Sequence, residues 1–234
     1  MASDFSGYEK IPSRLKGKGY GRFDKTAWVA TEKIHGANFS FVYHDGHLRV
    51  AKRRGFLGSE TNFFSHQHVV AKIQDNFMAL FAALNAEIHP NVAPEHKTFT
   101  VYGELFGGGY PHPDVKPIKG MPLIQHGVYY SPDIRFCAFD ISIHVRECHK
   151  RYMDYQDAIA YFKRFGIYHA KPLLIGPLHE VMNFDIRTNS TIPAELGFPA
   201  LSKNMMEGIV VKPYADYSDS YLHRPIVKIK NQHF

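Results

Sequence analysis

The sequence predicts one α+β domain of antiparallel sheets flanked by helices around a central cleft, on three observations. A hairpin signature stands near the N-terminus, strand-like runs alternate with single helix-like segments, and no repeat, low-complexity tract or linker interrupts the 234 residues. Residues 27–52 read as the hairpin: 38–44 alternate apolar and polar side chains, Asp45-Gly46 is a tight-turn dipeptide, and 47–52 resume the alternation. Lys33 then falls at a strand end, just before the hairpin's first strand. Over 65–86, Val69, Val70, Ile73, Phe77, Leu80, Phe81 and Leu84 recur at helical spacing, and His89-Pro90 breaks the run. Residues 98–104 and 135–143, rich in β-branched and aromatic side chains, read as strands joined by a long turn-rich segment. Asp154 is placed to cap a helix running to Phe165, with Ile159 and Phe162 on its apolar face and Gly166 as its stop. Two short strands, 209–212 and 226–230, complete the pattern.

The bulk properties exclude several classes. No apolar run approaches the ~18 residues of a membrane span, and the N-terminus lacks the charged-then-apolar pattern of a signal peptide, so no membrane partner is expected. The expected setting is cytoplasmic or another intracellular compartment, not secreted. Two cysteines, Cys137 and Cys148, are too few for a disulfide framework, and both are expected to be buried. The 28 Lys and Arg exceed the 22 Asp and Glu, and a balance of +6 suits a phosphate-rich partner. Gly107-Gly108-Gly109 lacks the Gly-Lys-Ser/Thr ending of a P-loop and reads as a flexible turn. His66 with His68, and His89 with His96, lack the cysteine partners and spacing of a zinc site.

The chemistry centres on residues 31–39, Thr-Glu-Lys-Ile-His-Gly-Ala-Asn-Phe, which isolate Lys33 among small and hydrogen-bonding residues. An ordinary lysine, with a pKa near ~10.4, is almost wholly protonated at neutral pH and cannot act as a nucleophile. Cationic neighbours or a dry pocket remove that obstacle. Arg53, Arg54, Lys212, Lys228 and Lys230 are candidates, and Lys228 and Lys230 alternate along one strand, which puts them on one side. His35 and Asn38 carry donors suited to phosphate oxygens. Asp140 stands in an otherwise apolar strand and requires a partner or a task there. Phe139 in the same run offers a flat apolar face for a base, and equally suits the core. Glu207 is the candidate for a divalent ion, because magnesium keeps several waters and takes few carboxylates.

Read in order, Glu32-Lys33-Ile34-His35-Gly36, Arg53, Tyr102-Gly103-Glu104-Leu105-Phe106-Gly107, Ala138-Phe139-Asp140-Ile141, the run from Glu207 to Lys212, and Val227-Lys228-Ile229-Lys230-Asn231 resemble the ordered motifs of the covalent nucleotidyltransferases. Histidine at position 35, where most members of that superfamily carry aspartate, resembles the double-strand-repairing RNA ligases, which include a phage nick-sealing enzyme and the trypanosome editing ligases. The resemblance spans residues 28–231 and implies a nucleotidyltransferase (ATP-grasp-like ligase) domain with a central nucleotide cleft. It implies an ATP-dependent RNA ligase that uses Mg2+ or Mn2+, forms a lysyl-AMP, and joins RNA 5′-phosphate and 3′-hydroxyl ends, including those of a nicked duplex.

By the same resemblance Lys33 is the nucleophile, His35 and Asn38 act at the phosphate, and Glu104 contacts the ribose. Phe139 and Val210 cover the two faces of the adenine; Glu32, Ile34, Gly36 and Lys212 line the nucleotide site; Asp140 is an active-site carboxylate. Lys228 and Lys230 meet the α-phosphate, and Glu207 engages the metal. Arg53 contacts the incoming phosphate or 3′ strand, with Arg54 as its rival, since a one-residue slip in strand register exchanges their directions. Residues 1–234 are expected to form a single catalytic domain with no C-terminal OB or helical domain. The alternatives are a DNA ligase, a capping-type nucleotidyltransferase, or a degenerate RNA-binding module without catalysis.

Overall fold

The computed structural model describes residues 5–15, 26–215 and 225–232. Its strands are β1 (Trp28–Glu32), β2 (Ala37–His44), β3 (His47–Lys52), β4 (Gly55–Phe56), β5 (Lys97–Gly109), β6 (Ser131–Val145), β7 (Arg151–Tyr152), β8 (Pro172–Gly176), β9 (Gly208–Pro213) and β10 (Val227–Lys230). Its helices are α1 (His66–Glu87), α2 (Tyr155–Arg164), α3 (Leu178–Met182) and α4 (Ile192–Glu195). Two sheets result, in the orders β4-β3-β2-β5-β6-β7 and β10-β9-β1-β8. Every strand pairing in them is antiparallel.

The expected hairpin is present as β2 and β3, joined at Asp45 and Gly46, both with positive φ. Residues 28–32, however, leave it and become the second sheet's β1, between β8 and β9. All five residues of β1 are buried. A strand covered on both faces shows no alternation, which is why it was not separable from its neighbours. Strands β5 and β6 run further than the 98–104 and 135–143 expected of them. Strand β8 and the short helices α3 and α4 were not foreseen.

Helix α1 buries Val69, Phe77, Leu80, Phe81 and Leu84 against the six-stranded sheet. Phe77 stacks on Phe41 with centroids 3.9 Å apart, and Phe81 stacks on Tyr43 at 5.3 Å. The helix ends where the ammonium of buried Lys97 donates to the carbonyls of Asn85, Ile88 and His89, satisfying acceptors that the last turn leaves open. Asp154 and Gly166 bracket α2, and Gly166 takes the positive φ of a helix stop. A second core gathers Trp28, Ala30, Ile209, Val211 and Val227 from the four-stranded sheet with Tyr8, Met206 and Val181.

Two expectations need correction. Cys137 is buried, and burial pushes its thiol up, but Cys148 is exposed because it lies in the turn beyond β6. Gly107, Gly108 and Gly109 are the bulged end of β5 rather than a flexible turn. A Cβ on Gly108 would stand 2.0 Å from the Pro122 carbonyl oxygen, and one on Gly107 2.2 Å from that of Asp133. Close backbone approach, together with positive φ, is what requires glycine there.

Candidate active site

A cleft of about 520 Å³ takes its walls from both sheets and from the segment 5–15. Lys33 follows β1 directly, and its backbone N–H donates to the Gly208 carbonyl at 2.9 Å, so the lysine loop is tied to the start of β9. That tie places Glu207 opposite the lysine. The ammonium of Lys33 lies 2.6 Å from Glu207 Oε2, His35 Nδ1 lies 3.3 Å from the same oxygen, and Lys230 Nζ lies 3.0 Å from Oε1. Burial alone would raise the Glu207 carboxyl; the His35 hydrogen bond and the Lys33 and Lys230 ammonium groups outweigh it and hold the group at about 2. It is therefore a carboxylate at any physiological pH. Lys228 lies on the same strand as Lys230 and also lines the cleft. Desolvation, followed by repulsion from Lys33 and Lys230, lowers its pKa.

Glu104 projects from β5 at the position paired with Asn38 of β2. Burial and the nearby Glu207 push its carboxyl up to about 7, against the pull of Lys33 and Arg53. Arg53 and Arg54 both line the cleft, but they form the turn between β3 and β4 rather than a strand. A register slip therefore does not decide between them. The reach of the Arg53 charge to Glu104 distinguishes it.

Phe139 is the extra residue of a bulge: Tyr102 pairs with Asp140 and Gly103 with Ala138, which leaves position 139 without an opposite number. Bulges re-aim side chains in this way beside active sites. Its ring lines the cleft with Ile34, Ala170 and Val210, and Tyr8 stands edge-on to it at 4.9 Å. Like Lys212, Asp140 also lines the cleft. It is fully buried, accepts from Lys212 Nζ at 2.6 Å and from the Tyr8 hydroxyl, while Lys212 also donates to the Phe139 carbonyl at 2.8 Å. Lys212 is thus grouped with Asp140, and Lys230 with Glu207.

Glu32 is buried one residue before the lysine. Burial raises its pKa, and Oε2 accepts from the N–H and hydroxyl of Thr191. Its Oε1 and the Oδ1 of Asn38 are buried without a hydrogen-bond partner, and both residues line the cleft. Gly36 lies under Leu105, where a Cβ would stand 2.1 Å from the carbonyl oxygen, so only glycine lets the lysine loop close onto β5.

Sequence reasoning missed the segment 5–15, whose Tyr8, Glu9 and Ile11 line the cleft. The segment has no strand or helix of its own. It is held by Ser6 accepting from the Tyr102 hydroxyl at 2.9 Å and by Pro12 accepting the Lys228 N–H at 3.0 Å, contacts with residues 96 and 216 positions away that local patterning cannot show. Also missed were Tyr130 and Asn204, which support the lysine loop.

An antiparallel two-sheet fold with a lysine-centred cleft defines the covalent nucleotidyltransferase class. Within that class the chain belongs to the RNA ligase family, whose pattern it matches over residues 26–230. It is 33% identical over 215 residues to the mitochondrial RNA-editing ligase 2 of Trypanosoma brucei brucei, covering 83% of this chain and 50% of that protein. Identity to RNA-editing ligase 1 of the same organism is 30%, over 90% of this chain and 50% of that protein. The chain thus spans about half the length of the curated relatives it matches. Among solved structures, an RNA ligase mutant of Naegleria gruberi with ATP and Mn superposes with a TM-score of 0.59 at 15% identity, over all of this chain and 58% of that one. An archaeal ATP-dependent RNA ligase gives 0.51 at 16% identity, over 96% and 48%. Among the described residues, no helix is long and apolar enough to cross a membrane.

Proposed function

We propose that this chain is an ATP-dependent RNA ligase working through a lysyl-AMP on Lys33, and that the two sheets form one catalytic unit. The observation that carries the reading is the Lys33–Glu207 contact of 2.6 Å, opening onto a cleft that also presents Lys228, Lys230 and Arg53. Phe139 and Val210 offer apolar faces for a base, and the unpartnered acceptors on Glu32 and Asn38 suit the amino and hydroxyl donors of a nucleoside.

In the first step the Lys33 nitrogen, having shed its proton, attacks the α-phosphorus of ATP and pyrophosphate leaves. The proton passes to solvent through the open side of the cleft, and Glu207 accepts a hydrogen bond from the amine and orients it. Lys228 and Lys230 offset charge on the phosphates. In the second step an RNA 5′-phosphate oxygen attacks the phosphorus of the lysyl-AMP, and the lysine nitrogen leaves with a proton. In the third, a 3′-hydroxyl attacks the activated 5′-phosphate, forming the phosphodiester and expelling AMP.

A divalent ion fits the donor set. Among the described residues no group of three or more acidic, histidine or cysteine side chains is assembled as a cage. Magnesium or manganese bound beside a triphosphate needs only one or two carboxylates, and Glu207, whose oxygens already contact Lys33, His35 and Lys230, would hold such an ion through its waters. Such an ion would offset the charge that develops on the phosphates.

The substrate ends are proposed to be a 5′-phosphate and a 3′-hydroxyl on RNA, including nicked duplex. Two free cysteines support a reducing intracellular setting. The test is sealing of a 5′-phosphorylated RNA with ATP and Mg2+ or Mn2+, with GTP and a DNA 3′ end as comparisons. RNA sealing driven by ATP is expected. Transfer of GMP to the protein, or sealing confined to DNA, would replace this reading with a capping or DNA-ligase one.

A further inference from the structure

Tyr130 lies between β5 and β6 in a stretch that no motif marks. Its side chain is 1% exposed, its ring stands edge-on to Phe106 at 5.4 Å, and its hydroxyl accepts the backbone N–H of His35 at 2.8 Å. The preceding residue is gripped by a buried side chain on both of its backbone polar groups. Asn204 Oδ1 accepts the Tyr129 N–H at 2.8 Å, and Asn204 Nδ2 donates to the Tyr129 carbonyl at 2.6 Å. Asn204 itself precedes Glu207 in the same connection into β9.

These bonds close a circuit. From Lys33 it passes through the backbone bond to Gly208, along the chain from Glu207 back to Asn204, across to Tyr129 and Tyr130, and through the Tyr130 hydroxyl to His35. Both ends of the Lys33–Glu207 pair are therefore fixed by one set of hydrogen bonds. An attacking nitrogen gains rate from being held in a near-attack position, and small displacements forfeit that gain.

We propose that Tyr130 is a positioning residue for Lys33, acting through the His35 backbone and anchored by Asn204. The proposal rests on the reading of Lys33 as nucleophile. Tyr130→Phe keeps the ring against Phe106 and removes only the acceptor for the His35 N–H.

Single-turnover adenylylation by Tyr130→Phe should slow on the order of tenfold, with the ATP concentration for half-maximal rate unchanged. Sealing of RNA supplied with its 5′ end already adenylylated does not use Lys33 as nucleophile and should proceed at the wild-type rate. Asn204→Ser, too short to span both Tyr129 groups, should show the same split. Equal adenylylation rates in wild type and Tyr130→Phe would overturn the proposal, and so would an equal loss in both steps, which would make Tyr130 a support of the fold alone. A wild-type protein that forms no adduct would instead overturn the reading of Lys33 on which the proposal stands.

Discussion

Two lysine–carboxylate pairs of the same 2.6 Å length line the cleft, Lys33 with Glu207 and Lys212 with Asp140. The second is more deeply buried: its side chains are 5% and 1% exposed, and the Tyr8 hydroxyl and the Phe139 carbonyl also hydrogen-bond to it. The first is shared and open. Glu207 is 4% exposed but divides its oxygens among Lys33, His35 and Lys230, and the Lys33 side chain is 23% exposed to the cleft. Two lysine–carboxylate pairs thus stand in different surroundings. A buried pair ties β9 to the bulge of β6, whereas in the open pair His35 and Lys230 still contact the carboxylate when Lys33 leaves it.

The largest effect should separate the pairs by stability. Lys212→Met strands a buried Asp140 charge, and breaking a buried pair from one side costs about 3–5 kcal/mol. Lys33→Met leaves Glu207 with His35 and Lys230 and should cost about 1 kcal/mol or less. Urea unfolding of the two variants measures the difference; equal losses would erase the distinction.

Activity should separate them in the opposite sense. Glu207→Ala removes the group proposed to orient the amine and should lower adenylylation by about 10²-fold or more, with folding retained. Single-turnover rates check this, and a rate near wild type would make Glu207 a bystander.

The pH dependence of stability sharpens the electrostatics. Glu207 has a folded pKa of about 2, below its ordinary 4.5, so its contribution is present above 4.5 and is lost as pH falls toward 2. Glu104 runs the other way: raised to about 7, its contribution is intact below 4.5 and is lost as pH rises through 7. Glu104→Gln should therefore flatten the decline in stability between 4.5 and about 7 while leaving the acid limb in place. An unchanged decline in the variant would mean that Glu104 titrates normally.

The smallest effect concerns the arginine turn. Because the Arg53 charge reaches Glu104, Arg53→Ala should reduce sealing by a few-fold more than Arg54→Ala, a difference in the range expected of exposed charges. Equal sealing by the two variants would leave the pair unresolved in function as it was in the sequence.

The contrast between the pairs also explains what was legible beforehand. Local pattern was enough for the hairpin, α1 and α2, since turn chemistry and helical spacing act over a few residues. The members of the cleft, from Lys33 to Lys230, were found because their motifs recur in a recognisable order. Their pairing was not readable, because whether Lys212 meets Asp140 or a phosphate depends on a one-residue bulge at Phe139 that leaves no mark in the pattern. Strand β1, buried on both faces, carried no alternation to read. Tyr8, Tyr130 and Asn204 act through contacts with residues distant in sequence, and ordinary tyrosine and asparagine positions give no warning of such contacts.

The most direct test of the open pair is the site of covalent modification. Wild type, Lys33→Ala and Glu104→Gln would be incubated with ATP and Mn2+, and intact mass and peptide mapping would locate any added AMP. One AMP on the peptide containing Lys33 in wild type, retained on that peptide in Glu104→Gln and absent from Lys33→Ala, is the predicted result. An adduct that persists in Lys33→Ala, or a wild-type protein that never gains AMP, would contradict the assignment of Lys33 as the nucleophile and of its pair with Glu207 as the reactive one.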